Sequence, residues 1–184
     1  MGPRFVTFAA LFYGSLTVAA ALWVTLRGFE LRLTGDSVAL SLALGAITPV
    51  VTVSLGLLAY RLLPVLREVA EELAPRLVDG ASRTSLVLVS VFSGVGEEAF
   101  FRGAVQQEFG LVVASVVFGV VHVGPDRRYL WWTAWAALAG FLFGTLYDVA
   151  GGLLAPILAH AAHNAATLLL WRRSRRGMRE GDLR

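Results

Sequence analysis

Apolar residues dominate this chain in long runs that short polar segments separate. The first two runs extend from Phe5 to Leu26 and from Val38 to Tyr60. A helix rises about 1.5 Å per residue, so each run is long enough to cross a hydrocarbon core of about 30 Å. The first run is too long for the apolar part of a typical signal peptide and lacks a small-residue cleavage site at its end. We therefore expect it to be a retained membrane-spanning helix.

The segment from Arg61 to Asp79 has a different pattern. Its apolar residues recur at helical spacing, and charged residues occupy the positions between them. This pattern predicts an amphipathic helix at the membrane interface, with a solvated linker helix as the alternative. Pro64 fits the first turn of such a helix, and we expect Pro75 to end or kink it.

Four further apolar segments follow along the chain. The third predicted span begins near Thr84, and the fourth, from Leu111 to His122, has about half the usual ~20 residues. The fifth runs from Tyr129 to Tyr147 and the sixth from Leu153 to Trp171. The chain is therefore predicted to be an all-α, polytopic integral membrane bundle. It would have about six transmembrane helices and one amphipathic interfacial helix, in a single domain over residues 1–184.

The distribution of arginine agrees with this topology. Six spans place both termini on the same side of the membrane, together with 13 of the 16 basic residues. These are Arg4, Arg61, Arg67, Arg76, Arg83, Arg127, Arg128, Arg172, Arg173, Arg175, Arg176, Arg179 and Arg184. Only Arg27 and Arg32 fall on the other side. Because cytoplasmic loops carry the excess of basic residues, we expect cytoplasmic termini and an external loop from Arg27 to Asp36.

Composition fits a membrane protein and excludes several chemistries. Hydrophobic residues make up 57% of the chain and charged residues 16%, against about 25% charged in soluble domains. Cysteine is absent, which excludes disulfides, thiolate metal sites and a cysteine nucleophile. Lysine is also absent, which excludes Schiff-base chemistry on a lysine side chain.

The abundance of Ala, Gly and Arg is typical of a GC-rich bacterial genome, so we expect a bacterial inner-membrane protein. The arginines cluster at span ends, so the expected partner is the lipid bilayer and not a nucleic acid.

Two glutamates and an arginine lie inside the third predicted span. Each charge at membrane depth costs about 2.5–3.5 kcal/mol on insertion scales, so such residues persist mainly when they are paired or functional. Glu98 and Arg102 are four residues apart and are predicted to form an ion pair. Glu97 points about 100° away from Glu98 on a helix and has no obvious local partner. An unpaired carboxylate in a low-dielectric site suits general acid–base catalysis.

All three histidines lie in the C-terminal half of the chain, within apolar helices. By span assignment, Glu97, His122 and His160 fall at similar membrane depth, and Asn164 shares a helix face with His160. His163 lies one residue off that face. Three helices could therefore present a carboxylate, two imidazoles and a carboxamide to one buried pocket.

Two chemistries are open to this set. In one, Glu97 and His122 activate water while His160 and Asn164 donate hydrogen bonds to the oxyanion of a tetrahedral intermediate, as in peptide hydrolysis. In the other, Glu97, His122 and His160 bind a divalent metal such as zinc, with water at an open position. The H-E-x-x-H motif of many zinc proteases is absent. A carboxamide is a poor zinc ligand, so Asn164 favours the first mechanism, and no cofactor is expected.

Three motifs occur in order on successive apolar helices. They are E-E-x-x-x-R at Glu97–Arg102, F-x-x-x-H at Phe118–His122 and H-x-x-x-N at His160–Asn164. Together they resemble the CPBP family of intramembrane proteases, also called the Abi family, which includes CAAX prenyl endopeptidases and bacteriocin-processing proteins. The resemblance covers about residues 84–171, which would form the catalytic core.

The resemblance implies an all-helical membrane fold with a conical cavity, and an endopeptidase acting on membrane-associated protein or peptide substrates. Many members are described as metalloendopeptidases. It assigns water activation to Glu97 and His122 and the oxyanion site to His160 and Asn164; Glu98 and Arg102 would be supporting residues. The same family includes proteins linked to bacteriocin self-immunity. A non-catalytic immunity or peptide-binding protein of this fold is therefore the alternative function.

Overall fold

Helices account for most of the chain. The computed structural model describes the backbone of residues 3–181 and the side chains of residues 4–175. Within these limits it contains no strand, and its elements, in order, are α1 (Pro3–Arg27), α2 (Val38–Leu62), α3 (Pro64–Val78), α4 (Arg83–Phe100), a π-helical segment (Phe101–Val105), α5 (Gln106–Val120), α6 (Tyr129–Ala150) and α7 (Leu154–Gly181). The predicted all-α class is confirmed.

By length and composition, four helical stretches among the described residues could cross a membrane. They are Arg4–Arg27, Val38–Leu62, Arg83–Val120 and Tyr129–Ala150. These stretches support an integral membrane protein, but the predicted count of six spans is not confirmed. The difference has two sources. The stretch Arg83–Val120 combines the third and fourth predicted spans, and α7 is not among the four, since polar residues interrupt its apolar run.

The stretch from Arg83 to Val120 is not one straight helix. Gly110 has φ +83° and ψ 166°, a left-handed backbone conformation that glycine adopts at little cost. The part of α5 after this break, Leu111–Val120, packs along α6. Ten residues rise only about 15 Å, half the thickness of a bilayer core. The break therefore accounts for the short fourth segment seen in the sequence.

Helix α3 has the predicted amphipathic character. Pro64 occupies its first turn, where a missing N–H costs nothing. Its buried face packs against α2 and α7 and consists of Val69, Ala70, Ala74 and Val78. The helix does not end at Pro75 but continues to Val78. The tertiary contacts of this apolar face thus maintain the last turn after the proline.

At one end of the bundle, the α1–α2 loop meets the α6–α7 loop. The backbone N–H of Leu153 donates to the carbonyl of Arg32 at 3.0 Å. Arg27, at the end of α1, forms an ion pair with Glu108 of α5 at 2.6 Å. The two arginines that the sequence predicts to be external therefore lie at the same end of the structure.

The opposite end holds α3, the α5–α6 loop and the charged part of α7. Arg128 of the loop pairs with Glu72 of α3 at 3.1 Å, and Arg175 of α7 pairs with Asp79 at 2.7 Å. Arg127 lies in the same loop as Arg128. The side chains of Arg176, Arg179 and Arg184 lie outside the described residues, as do the extreme termini.

Helix α4 occupies the centre of the fold. It packs against α1 and α7, while α6 packs against α5 and α7. The contact with α7 is close: a Cβ added to Gly94 would lie 2.9 Å from the Cβ of Ala161. This arrangement brings the acidic motif of α4 towards the histidine motif of α7 and the end of α5.

Candidate active site

Glu97 and His122 come together from different helices. Glu97 lies on α4, and His122 follows the last residue of α5. The chain reversal at Gly110 returns His122 to the depth of Glu97, so that Nε2 of His122 lies 3.9 Å from Oε2 of Glu97. This Oε2 is buried and has no hydrogen-bond partner among the described residues. The separation is too long for a direct hydrogen bond, but both groups can bind one water molecule.

The backbone fixes the tautomer of His122. Its Nδ1 lies 2.6 Å from the carbonyl oxygen of Phe118, one helical turn earlier. A carbonyl oxygen only accepts hydrogen bonds, so Nδ1 carries the proton and donates. In the neutral ring, Nε2 is then an acceptor, and it faces Glu97. The Phe118 ring, 4.7 Å from the imidazole centroid, holds the ring plane in place.

Glu98 connects Arg102 with His160. Its Oε2 lies 2.9 Å from Nε of Arg102, which confirms the predicted ion pair. Its Oε1 lies 2.7 Å from Nδ1 of His160 on α7. Since a carboxylate only accepts, His160 donates through Nδ1, and Nε2 is the nitrogen left for a substrate. The two carboxylates also differ in access, because the Glu98 side chain is 0% exposed and the Glu97 side chain 12%.

Arg102 lies in the π-helical segment, with its side chain fully buried. Its guanidinium carbon is 5.0 Å from the centre of the Phe118 ring and 5.9 Å from that of Phe101. None of its three guanidinium nitrogens has a hydrogen-bond partner among the described residues, so the contact with Glu98 is an ion pair only. The charge is therefore stabilised by Glu98 and by aromatic faces. π-Helical turns are frequent at functional sites, and this one begins directly after the acidic motif.

Asn164 is oriented by a serine of α4. Its Nδ2 donates to Oγ of Ser93 at 3.0 Å, and this hydroxyl donates to the carbonyl of Ser90 at 3.1 Å. Ser93 lies one helical turn before Glu97, so Asn164 is placed beside the same stretch of α4. A carboxamide has two N–H groups, and one stays available after the bond to Ser93.

His163 lies apart from this group. Its Nδ1 is 2.9 Å from Oγ1 of Thr52 on α2. The sequence places it one residue off the face of His160, and the structure agrees, because it joins α7 to α2. It is a link between helices and not a member of the candidate site.

Two contacts could not be read from the sequence. They are the bond from His160 to Glu98 and the bond from Asn164 to Ser93. Each joins helices that are far apart in the chain, so no spacing rule reveals it. The one sequence signal was the presence of polar residues in apolar helices.

The alternative metal site finds no support in the donor geometry. Among the described side chains, no three His, Cys, Asp or Glu residues lie close enough to share one ion. The proposed ligand set of Glu97, His122 and His160 does not converge, and we derive no step through a metal.

Comparison with known proteins identifies the segment that carries these residues. Residues 80–166 match the family described as Type II CAAX prenyl endopeptidase Rce1-like. All three motifs fall within the match. The predicted resemblance to the CPBP family is thus confirmed over this segment.

One relative is the uncharacterized protein YpbD of Bacillus subtilis (strain 168), which is 31% identical over 75 residues. The match covers 41% of this chain and 39% of the relative, so the chain spans less than half of that protein. No solved structure matches this chain. The comparisons therefore indicate a CAAX protease-type function at the level of the family and an integral membrane protein.

Proposed function

We propose that this member of the CPBP family is an intramembrane endopeptidase that hydrolyses peptide bonds in membrane-associated proteins or peptides. One observation carries the proposal. Glu97 and His122, which lie 25 positions apart in the chain, direct two acceptor atoms towards each other across 3.9 Å at a partly buried position. Packing between two helices does not require two acceptor atoms that face each other. Activation of a water molecule does, because the water donates one hydrogen bond to each acceptor.

In the proposed reaction, a water molecule donates one hydrogen bond to Oε2 of Glu97 and the other to Nε2 of His122. The water oxygen then attacks the scissile carbonyl carbon as its proton passes to Glu97. When the tetrahedral intermediate collapses, the C–N bond breaks, and that proton is returned to the leaving amine. The fixed tautomer of His122 keeps Nε2 ready to accept in the first step.

His160 and Asn164 would stabilise the negative charge of the intermediate. Asn164 offers the N–H that Ser93 does not use. His160 can donate through Nε2 only as an imidazolium, because a neutral ring with its proton on Nδ1 has an acceptor at Nε2. The Glu98 carboxylate at Nδ1 provides the counter-charge for that form. Hydrogen-bond donors that are already in position before the reaction typically increase a rate 10²–10³-fold, which corresponds to about 3–4 kcal/mol.

The test first requires the identification of a substrate. Membrane peptides from cells that express the wild type are compared with those from cells that express Glu97→Gln, and a candidate is then cleaved by purified protein. We expect Glu97→Gln to lose about 10²–10⁴-fold in rate while remaining folded. Glu71→Gln, the same change on the exposed side of α3, is the matched control and should retain activity.

Near wild-type cleavage by Glu97→Gln would refute the proposed mechanism. Binding of a peptide without cleavage by the wild type would instead favour the alternative, a non-catalytic immunity or peptide-binding protein.

A further inference from the structure

His160 has an aromatic contact on its ring face that the proposed reaction does not use. The ring of Phe143, on α6, stacks on the imidazole with the centroids 5.0 Å apart and an angle of 17° between the planes. Both side chains are buried. The hydrogen bond from Nδ1 of His160 to Glu98 leaves the imidazole in the ring plane, where its N–H lies. Glu98 therefore acts on the edge of the ring and Phe143 on its face.

The packing of α6 against α7 fixes Phe143 in this position. The residue belongs to a buried cluster that both helices form, together with Leu146, Ala150, Ala155 and Ala159. The two alanines of α7 are 0% exposed and lie one helical turn apart, so they leave room for an aromatic ring beside His160. Helix α6 carries none of the three motifs, so the motifs do not reveal this residue.

A second ring of the site, Phe118, has its face turned to Arg102. The guanidinium carbon of Arg102 lies 5.0 Å from the centre of this ring. The planes of Phe118 and His160 meet at 76° with the centroids 6.0 Å apart, so these two rings do not stack. The room for Phe118 comes from Gly140 of α6, where an added Cβ would lie 3.2 Å from Cδ1 of Phe118. Helix α6 thus gives way to one ring and, three residues later, supplies the other.

The charges in this part of the site need more than one carboxylate. Glu98 is shared, because its Oε2 lies 2.9 Å from Nε of Arg102 while its Oε1 accepts from His160. If His160 is an imidazolium, one negative charge faces two positive charges at a buried position. An aromatic face carries negative potential and attracts a cation, most strongly where water is excluded. Phe118 offers such a face to the guanidinium, and Phe143 offers one to the imidazole.

We propose that Phe143 is a positioning residue that stabilises the doubly protonated form of His160 and holds its ring in the plane from which Nε2 donates to the oxyanion. The catalytic consequence rests on the proposed function, in which His160 donates through Nε2 as an imidazolium. The other titratable groups nearby are directed elsewhere, since Glu97 faces His122 and His163 bonds to α2. Phe143 supports the charged form from a side that no hydrogen bond of the ring can reach.

The kinetic test replaces Phe143 with mono-, di- and trifluorinated phenylalanine by suppression of an amber codon. Fluorine withdraws electrons from the ring face and nearly conserves the shape of the ring. We expect kcat to fall with each fluorine, by about 5- to 30-fold in total, with KM unchanged, because the oxyanion forms only after substrate has bound. The same series at Phe141, on the same helix and 49% exposed, is the matched control and should leave both constants unchanged. A constant or rising kcat across the series at position 143 would overturn the inference, because fluorination does not weaken a contact that only packs against a neutral ring.

A second measurement does not depend on proteolysis. The chain has three histidines, so the imidazole nitrogen NMR signals of histidine-labelled protein in detergent can be assigned with single variants. These signals distinguish an imidazolium from a neutral ring. At the pH where half of the wild-type His160 is charged, we expect trifluorination of Phe143 to lower the charged fraction below about 20%.

An unchanged charged fraction would overturn the inference whatever the activity of the protein, as would a wild-type His160 that is neutral at every pH. A wild type that cleaves no peptide, with the charged fraction lowered as expected, would count against the proposed function alone.

Discussion

The buried pair of Glu98 and Arg102 allows a quantitative prediction of stability. Nε of Arg102 lies 2.9 Å from Oε2 of Glu98, and both side chains are 0% exposed. Arg102→Met removes the charge but keeps an unbranched side chain of comparable length. The variant leaves Glu98 in a low-dielectric environment with His160 as its remaining partner.

The expected loss follows from the geometry. At 2.9 Å and an effective dielectric constant of about 20, the Coulomb attraction is about 6 kcal/mol. Desolvation of both charges offsets part of this, and removing one partner of a buried pair typically costs about 3–5 kcal/mol. The contact of Arg102 with Phe118 adds about 1–2 kcal/mol. We therefore expect Arg102→Met to lower the free energy of unfolding by about 4–7 kcal/mol, or Tm by at least roughly 10 °C.

The double variant Glu98→Gln/Arg102→Met separates charge from packing. Removing both charges avoids a stranded ion, so most of the loss should be recovered. The amide oxygen of the substituted side chain can still accept from His160. Arg32→Met is the control, since Arg32 and its partner Glu30 are exposed and such pairs are worth about 0–1 kcal/mol.

The assay is thermal unfolding of detergent-purified protein, followed by the fluorescence of its five tryptophans. If Arg102→Met were as stable as Arg32→Met, the reasoning about the buried charge would be refuted. If the double variant were as unstable as the single one, packing and not charge would account for the loss. A fully stable but inactive Arg102→Met would place the guanidinium in the substrate site instead.

Two further predictions concern topology and metal dependence. The chain has no cysteine, so an impermeant thiol reagent applied to intact bacteria should label Thr34→Cys and spare Ser174→Cys; the opposite pattern would invert the orientation in the inner membrane. We also expect prolonged chelation to leave the proteolytic rate unchanged, because the described site offers no set of three ligands. Stoichiometric zinc in the active protein, whose removal abolishes and whose return restores activity, would contradict this.

Local helix geometry explains what the sequence could predict. The Glu98–Arg102 pair depends on a spacing of four residues, and the chain stays helical from α4 into the π-helical segment that holds Arg102, so the prediction is confirmed. The ends of α2 and the start of α3 at Pro64 follow from apolar patterning and proline chemistry in the same way. The continuation of α3 beyond Pro75 does not, because the contacts of its buried face outweigh the local preference.

The arrangement of the site depends on contacts between helices. Residue spacing in a single sequence predicts contacts within one helix but not contacts between helices. The bond from His160 to Glu98 requires α7 to pack on α4, and the approach of His122 to Glu97 requires the reversal at Gly110. Span assignment and the family resemblance together grouped Glu97, His122, His160 and Asn164 as functional partners. Their division into two contacting groups came from the structure.

The roles of the two adjacent glutamates follow from their partners. Consecutive residues on a helix point about 100° apart, so Glu98 faces α7 and Arg102 while Glu97 faces His122. Glu98 is engaged at both oxygens, one in the ion pair with Arg102 and the other in the hydrogen bond from His160. Glu97 has an acceptor atom without a partner and some access to its surroundings. Of the two carboxylates, only Glu97 can take a proton from water without breaking a contact that holds the fold together.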